Sequence, residues 1–318
     1  MSEETPASPM PPTDETKGRT VKQAVHGNPF DPGERSATIV KPGELIDVIE
    51  ITPLTLNDRR TYNLLIAHAW KDILEDKLHR IPKVEFKGTH NSYDRLTDSI
   101  RALMGAQVEV LVEIGGEKYT QSIHLLSTIA RPHDNAAEGY IYYRFPEEFR
   151  KLVQNSRIFA RLQAEVMYCF RSKYALTLWE IVSKRGNMRY KTREEFELER
   201  FRRLLGVEDE KYKLMNDLER FVIKPALREV NAFSSYHVQL ERVRVGKRVE
   251  RVILTWVGKE NAELKETYKL IGGHSAVRAA AYRGRKTEVI QTPSQAEPST
   301  RKLDRDDAFL SGLDELPL

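Results

Sequence analysis

The sequence predicts an α+β fold: tandem winged-helix domains with disordered N- and C-terminal tails. Three observations predict it. Two blocks, residues 45–158 and 159–260, share one layout, in which a long amphipathic helix leads through shorter helices into a β-hairpin. Each hairpin carries a glycine turn, Gly115-Gly116 in the first block and Gly246-Lys247 in the second. Residues 1–44 and most of residues 261–318 show no periodic apolar pattern and are rich in Pro, Thr, Ser and Glu, so they cannot bury enough apolar surface to offset their ordering entropy. The chain has 318 residues, 40% hydrophobic and 31% charged, which suits about two domains at ~100–200 residues each.

In the first block Thr55 caps a helix that reaches about residue 78. Tyr62, Leu65, Ile66, Ala69 and Ile73 recur at i, i+3, i+4, i+7 and i+11 and form one buried stripe. A second helix spans residues 91–104 and stops at Gly105. Strands follow over residues 107–114, 118–126 and 140–145, and a short helix opens near Pro146. Cys169 lies in the apolar run 166–170 and reads as a buried packing residue. In the second block a helix over residues 172–184 places Tyr174, Leu178, Ile181 and Val182 on one face. A short helix over residues 197–205, carrying Leu198, Phe201, Leu204 and Leu205, ends at Gly206. After the polar turn 207–210 a third helix runs from residue 211 to 231, and Pro225 either kinks it or opens a new helical segment. The closing hairpin pairs residues 236–243 with 249–257; Val238 and Leu240 on one strand alternate like Val252, Leu254 and Trp256 on the other, as in a half-buried ribbon. Helix, helix, turn, helix, hairpin is the winged-helix order, and the first block fits it less cleanly than the second.

The net charge of +4 hides an asymmetry. Residues 171–260 carry 21 basic and 14 acidic side chains, a charge of +7, whereas residues 1–45, 46–158 and 283–318 carry −2, −1 and −1. A local basic excess is the footprint of a polyanion partner. A solvated surface that happens to be rich in Lys and Arg is the bland alternative.

The third helix separates these readings. On a 100° wheel Leu214, Leu218, Phe221, Val222 and Pro225 share the arc that packs inward, while Lys213, Asn216, Arg220 and Lys224 share the opposite arc, joined at the N-terminal end by Lys211. The exposed face of such a helix enters the major groove, with its N-terminal residues nearest the bases. There Arg bonds guanine and Asn bonds adenine, and Lys holds phosphates. Asp217 lies near the arc, so the face is not purely cationic. An ordinary solvated helix face is the alternative. The hairpin tip adds Arg242, Arg244, Lys247, Arg248 and Arg251, five cations that repel one another unless an anion such as a phosphate backbone neutralises them. The alternative there is a solubilising edge ribbon. In the first block, the helix before the hairpin offers Asn91, Arg95 and Arg101, interrupted by Asp94 and Asp98, a face suited equally to DNA or to protein.

Other chemistries are missing. One cysteine excludes an internal disulfide framework or a cysteine zinc site and suits a reducing, cytoplasmic compartment. No run nears the ~18 apolar residues of a spanning helix, and residues 1–20 lack a secretory apolar region, so a membrane protein is excluded. No His-x-His occurs among the eight histidines, and G-x-x-x-x-G-K-[ST], G-x-S-x-G and H-E-x-x-H are absent. No metal, cofactor or enzymatic activity is expected.

Several segments resemble the iteron-binding plasmid replication initiators, the theta-replication Rep proteins built from two winged-helix domains. Residues 171–180 are similar to that family's S-x-Y-a-x-x-L-Y-E segment, with Trp179 where Tyr is usual. Residues 201–207 resemble its L-R-x-x-L-G-V helix end, residues 211–212 and 218–231 its recognition helix, and residues 245–249 its basic wing. Leu54-Thr55 with the long helix, and residues 79–82, resemble its amino-terminal winged helix. The acidic residues 194–197 depart from the polar strand that is usual there. The resemblance implies a non-enzymatic protein that binds double-stranded DNA at direct-repeat origin sites, promotes opening of an adjacent AT-rich region, and recruits the host initiator ATPase and replicative helicase. It also implies homodimers joined through the amino-terminal domain that are inactive for initiation. The main DNA contact then falls to residues 159–260, and dimerisation with auxiliary DNA contact to residues 45–158. The alternatives are a dimeric winged-helix transcriptional regulator without an origin function, and an RNA- or protein-binding scaffold. Phe309, Leu310, Leu313 and Leu316, set among acidic residues, form a candidate docking peptide for a replication protein.

Overall fold

The computed structural model describes residues 38–88, 93–132, 139–188 and 191–274. The tails before and after, and with them the candidate docking peptide, lie outside the described residues. The chain opens on strand β1 (Thr38–Pro42), so the expected arm over residues 1–44 ends earlier than its composition suggests. Thr38, Ile39 and Val40 are β-branched and suit a strand, but their partner, Phe159–Gln163, is more than a hundred residues away. Strand β2 (Ile49–Glu50) leads to helix α1 (Leu56–Ala69). Thr55 starts α1 with a capping box: its hydroxyl accepts from the Asp58 N–H at 3.2 Å and its own N–H donates to the Asp58 carboxylate at 2.8 Å.

Helix α1 ends at Ala69, followed by a 3₁₀ turn, Trp70–Asp72, instead of continuing to residue 78. Asp72, Glu75 and Asp76 crowd the C-terminal end, where the helix dipole favours cations. The predicted stripe is nevertheless buried from Tyr62 through Ile73. Strand β3 (His79–Pro82), helix α2 (Tyr93–Gly105) and the hairpin of β4 (Gln107–Ile114) and β5 (Glu117–His124) follow. Strands β6 (Thr128–Ala130) and β7 (Tyr140–Arg144), helix α3 (Glu147–Asn155) and strand β8 (Phe159–Gln163) complete this half. Its sheets run in the orders β2-β4-β5, β3-β7-β6 and β1-β8, all antiparallel. Phe145 stacks on Phe149 with centroids 4.2 Å apart, and Tyr62, Tyr143 and His79 surround the pair.

Helix α4 (Ala164–Cys169) buries Cys169, as expected. Helix α5 (Lys173–Gly186) starts where Ser172 accepts from the Tyr174 N–H at 3.2 Å. The next segment departs from expectation: Arg193–Glu197 is strand β9, and Glu197 caps helix α6 (Leu198–Leu204) instead of belonging to it. Phe196 supplies the strand's one buried side chain, opposite Val252. Glu194 faces Arg185, which accounts for acidic residues in a strand. A segmented helix, described below, precedes β10 (Tyr236–Val245) and β11 (Arg248–Gly258), giving the sheet order β10-β11-β9. Val238 faces Trp256 and Leu240 faces Leu254, in keeping with the predicted alternation. Helix α9 (Asn261–Gly273) replaces the start of the expected disordered tail. Only Thr267 and Ile271 are buried along it, too sparse a stripe to read from sequence. A capping box of Glu260 and Glu263 starts it, and Lys259 Nζ bonds Thr267 Oγ1 at 2.9 Å.

Buried polar contacts tie α5 to β1, α1 and β9. Lys41 of β1 donates to Glu180 at 2.8 Å and to Asn63 at 3.0 Å, and Asn63 donates to Glu180 at 2.6 Å, all three side chains being buried. At the other end, Arg185 bonds Asp47 and Glu194, each at 2.8 Å, and Lys184 bonds Asp47 at 2.7 Å. Gly206 closes the contact. Its φ is +72°, and a Cβ there would lie 2.6 Å from Arg59 and 2.8 Å from Glu50, which themselves pair at 2.7 Å.

Replacing Glu180 with Ala should lower stability by about 3–5 kcal/mol in denaturant titration, because it strands the Lys41 ammonium in the core. Acid should act on His79. Burial first, and Lys77 next, pull its imidazole down from 6.5 to about 4. The unfolded chain therefore binds a proton that the folded chain refuses, and stability falls as pH drops from 6.5 toward 4. In His79→Phe the plot of Tm against pH should be shallower across that window.

Candidate nucleic-acid interface

Helix α6 and the turn after it set up the second winged helix. Gly206, left-handed, reverses the chain. The third helix begins at Met215, not at residue 211: α7 (Met215–Leu218) passes through a π-helical turn, Glu219–Ile223, into α8 (Lys224–Phe233). Lys211 and Lys213 therefore stand in the turn. Lys211 Nζ lies 2.8 Å from Glu208 and Lys213 Nζ 2.5 Å from Glu210, exposed pairs that phosphate can replace. The Lys211 hydrogen bond holds the Glu208 carboxyl below its ordinary range.

The wide turn has a cause in the sequence. Pro225 is the second residue of α8, lacks an N–H and would clash with the carbonyl four residues back in a regular helix. Instead the Lys224 N–H bonds the Glu219 carbonyl, five residues back. Pro225 thus opens a new segment after a widened turn, which joins the two readings of it. The widening also realigns the faces. Leu218, Val222, Ala226 and Val230 are all buried, although steps of four drift about 40° each on a regular helix. The extra residue in the turn absorbs part of that drift. Asn216, Arg220, Lys224 and Arg228 follow the same four-residue step on the outside and are exposed. A uniform 100° spacing places Arg228 off the polar arc, and the widened turn returns it to the outer row.

Two apolar residues depart from the wheel: Phe221 lies in the widened turn, and Leu214 precedes the helix in extended conformation. Leu214 is 69% exposed and Phe221 49% exposed, whereas the wheel puts both in the core. Leu218 and Val222 are buried as predicted, and Pro225 is half-buried.

Three sets of contacts hold this element in place. Arg202, buried on α6, donates to the backbone carbonyls of Tyr212 at 2.6 Å and Lys211 at 2.7 Å. It thereby fixes a turn in which Tyr212 has φ +52°. Asn231 exchanges hydrogen bonds with the Val238 backbone at 2.9 and 2.6 Å, setting α8 against β10. Arg242 reaches Glu219 at 3.1 Å, and Lys224 reaches the same carboxylate at 3.4 Å. Arg202 and Asn231 lie within the segments quoted above, but neither side chain's partner is visible in a linear motif.

The wing divides the five predicted tip cations. Arg244, Lys247 and Arg248 are exposed at the end of the ribbon, where Gly246 has φ +61° and a bulge follows Val243. Arg242 and Arg251 instead stand lower on the ribbon. Arg242 turns to Glu219, and Arg251 pairs with Glu195 of β9 at 2.6 Å. In the first half Asn91 lies outside the described residues. Arg95 and Arg101 are exposed on α2, with Arg101 3.9 Å from Asp98, so that face remains mixed.

Among the described residues no group of three or more His, Cys, Asp or Glu residues is placed to hold a metal ion, and no helix is long and apolar enough to cross a membrane. Burial pushes the Cys169 thiol up to about 12, away from the thiolate form.

A family model described as "Initiator Replication protein, WH1" matches residues 38–183, and one described as "Initiator Rep protein, WH2" matches residues 197–256. The chain is similar in fold to the crystal structure of Pi initiator protein in complex with iteron DNA, at 16% identity and a TM-score of 0.51, over 72% of this chain and 100% of that one. A structure of domains 2 and 3 of RctB aligns at 8% identity over 70% of this chain and 87% of that one, with a TM-score of 0.36, too low to establish a shared fold. No curated protein matches. With two winged-helix units matched in order by the two initiator models, the chain belongs to the initiator Rep protein family.

Proposed function

We propose that this chain is a plasmid replication initiator that binds the direct repeats of its origin, the iterons, mainly through the second winged helix. Asn216, Arg220 and Lys224 enter the major groove, Lys211 and Lys213 flank them, and Arg244, Lys247 and Arg248 follow the phosphates. The exposed row of Asn216, Arg220 and Lys224 beside a wing with a cationic tip is the observation that carries this reading. Hydrogen bonds to base edges specify, and phosphate contacts position. Arg95 and Arg101 give the first winged helix an auxiliary DNA contact, and the same unit serves self-association. Bound at the repeats, the protein promotes opening of neighbouring AT-rich DNA and recruits the host initiator ATPase and replicative helicase, in the cytoplasm and without an enzymatic step of its own. A dimeric transcriptional regulator would share the groove face but is disfavoured by membership in an initiator family.

Selection of duplexes from a random pool, followed by footprinting, tests the reading: direct repeats should be recovered. Against a recovered duplex, Arg220→Ala should cost about 1–3 kcal/mol and relax the base preference at one position. Lys247→Ala should weaken all duplexes alike and flatten the plot of log K against log salt by about one unit. Wild-type affinity in both variants would refute the assignment.

A further inference from the structure

Two large apolar side chains are exposed in the segment that carries the proposed DNA contacts. Leu214 caps α7 at its N-terminal end and is 69% exposed; Phe221, about two turns on, is 49% exposed. Neither is loose. The Phe221 ring stacks on Tyr212 with centroids 5.7 Å apart and planes 28° apart, and the Arg220 guanidinium lies 5.1 Å from its centroid. Tyr212 in turn is clamped through its backbone by Arg202. A hydrophobic residue exposed singly needs no explanation. Lys213 and Arg220 adjoin them in sequence, and Lys213, Asn216, Arg220 and Lys224 are all exposed. An apolar protein surface docking there would have to desolvate those heads, whereas a polyanion matches them. The major groove offers that polyanion together with an apolar feature, the 5-methyl group of thymine. The N-terminal end of the helix, where Leu214 stands, is the end nearest the bases.

We infer that Leu214 and Phe221 are specificity-determining residues that close on thymine methyl groups, so that the bound repeat carries thymine beneath this edge of the helix, beside the bases that Asn216 and Arg220 hydrogen-bond. The inference rests on the chain being a sequence-specific duplex binder and adds which base it selects by apolar contact.

The test uses the full chain and a duplex selected from a random pool. Each thymine is replaced in turn by deoxyuridine, which lacks only the methyl. At one or two positions affinity should fall about threefold to tenfold, the scale of one buried methyl group. In Leu214→Ala or Phe221→Ala the fall at the matching position should disappear, while Arg220→Ala should keep it. Thermal melting of each variant confirms that it folds. Uridine tolerated at every thymine, with duplex selection intact, overturns this inference and leaves the proposed function standing. Failure to select any duplex removes both. Uridine sensitivity unchanged in both alanine variants also overturns it. So does a Leu214→Ser/Phe221→Ser chain that keeps its uridine sensitivity but shifts from dimer to monomer in sedimentation, which would make the patch a contact between copies.

Discussion

Glu180 sits where three elements converge, and its carboxylate must be met there by the Lys41 ammonium and the Asn63 amide. Apolar packing is non-directional and tolerates small slips of one element along another. A buried charge does not, since an unpaired ion in the core costs several kcal/mol. The cluster therefore selects one register of β1 and one rotation of α5. Arg185 does the same at the far end of the helix by requiring Asp47 and Glu194 together. Helix α5 is thereby tied to β1, α1 and β9, and Gly206 approaches Arg59 and Glu50 closely because it has no Cβ.

The exposed face of the second winged helix inherits this rigidity. Arg202 fixes the turn, Asn231 fixes the angle of the hairpin, and the Arg242–Glu219 pair joins wing to helix. None of the three is positioned as a base reader. Their effect is preorganisation, because an interface ordered before binding loses less conformational entropy on binding. Pro225 belongs with them: the widened turn that it imposes keeps one row of side chains buried and another exposed across three helical turns.

Much of this architecture was legible in the sequence. The caps at Thr55 and Ser172, the glycine turns at 115–116 and 246–247, and the alternation of Val252, Leu254 and Trp256 located most helices and both hairpins. Such signals are local, with cause and effect a few residues apart. The segments that escaped depend on distant partners. Thr38–Pro42 is a strand because Phe159–Gln163 lies beside it, and Arg193–Glu197 because β11 pairs with it and Arg185 neutralises Glu194. Of the candidate contacts, Asn216, Arg220 and Lys224 emerged on the outer face as read, and Arg244, Lys247 and Arg248 at the wing tip. Lys211 and Lys213 moved into the turn, and Arg242 and Arg251 into ion pairs.

Periodicity and capping residues located most of the helices and both hairpins, because those signals are written within a turn or two of chain, and the positive charge of residues 171–260 pointed to a polyanion partner. The exposure of Leu214 and Phe221, the clamp by Arg202 and the ties of α5 to β1, α1 and β9 arose from three-dimensional packing. A helical wheel assumes a uniform turn and isolated helices; a proline-widened turn and buried ions contributed by far-off strands violate both assumptions.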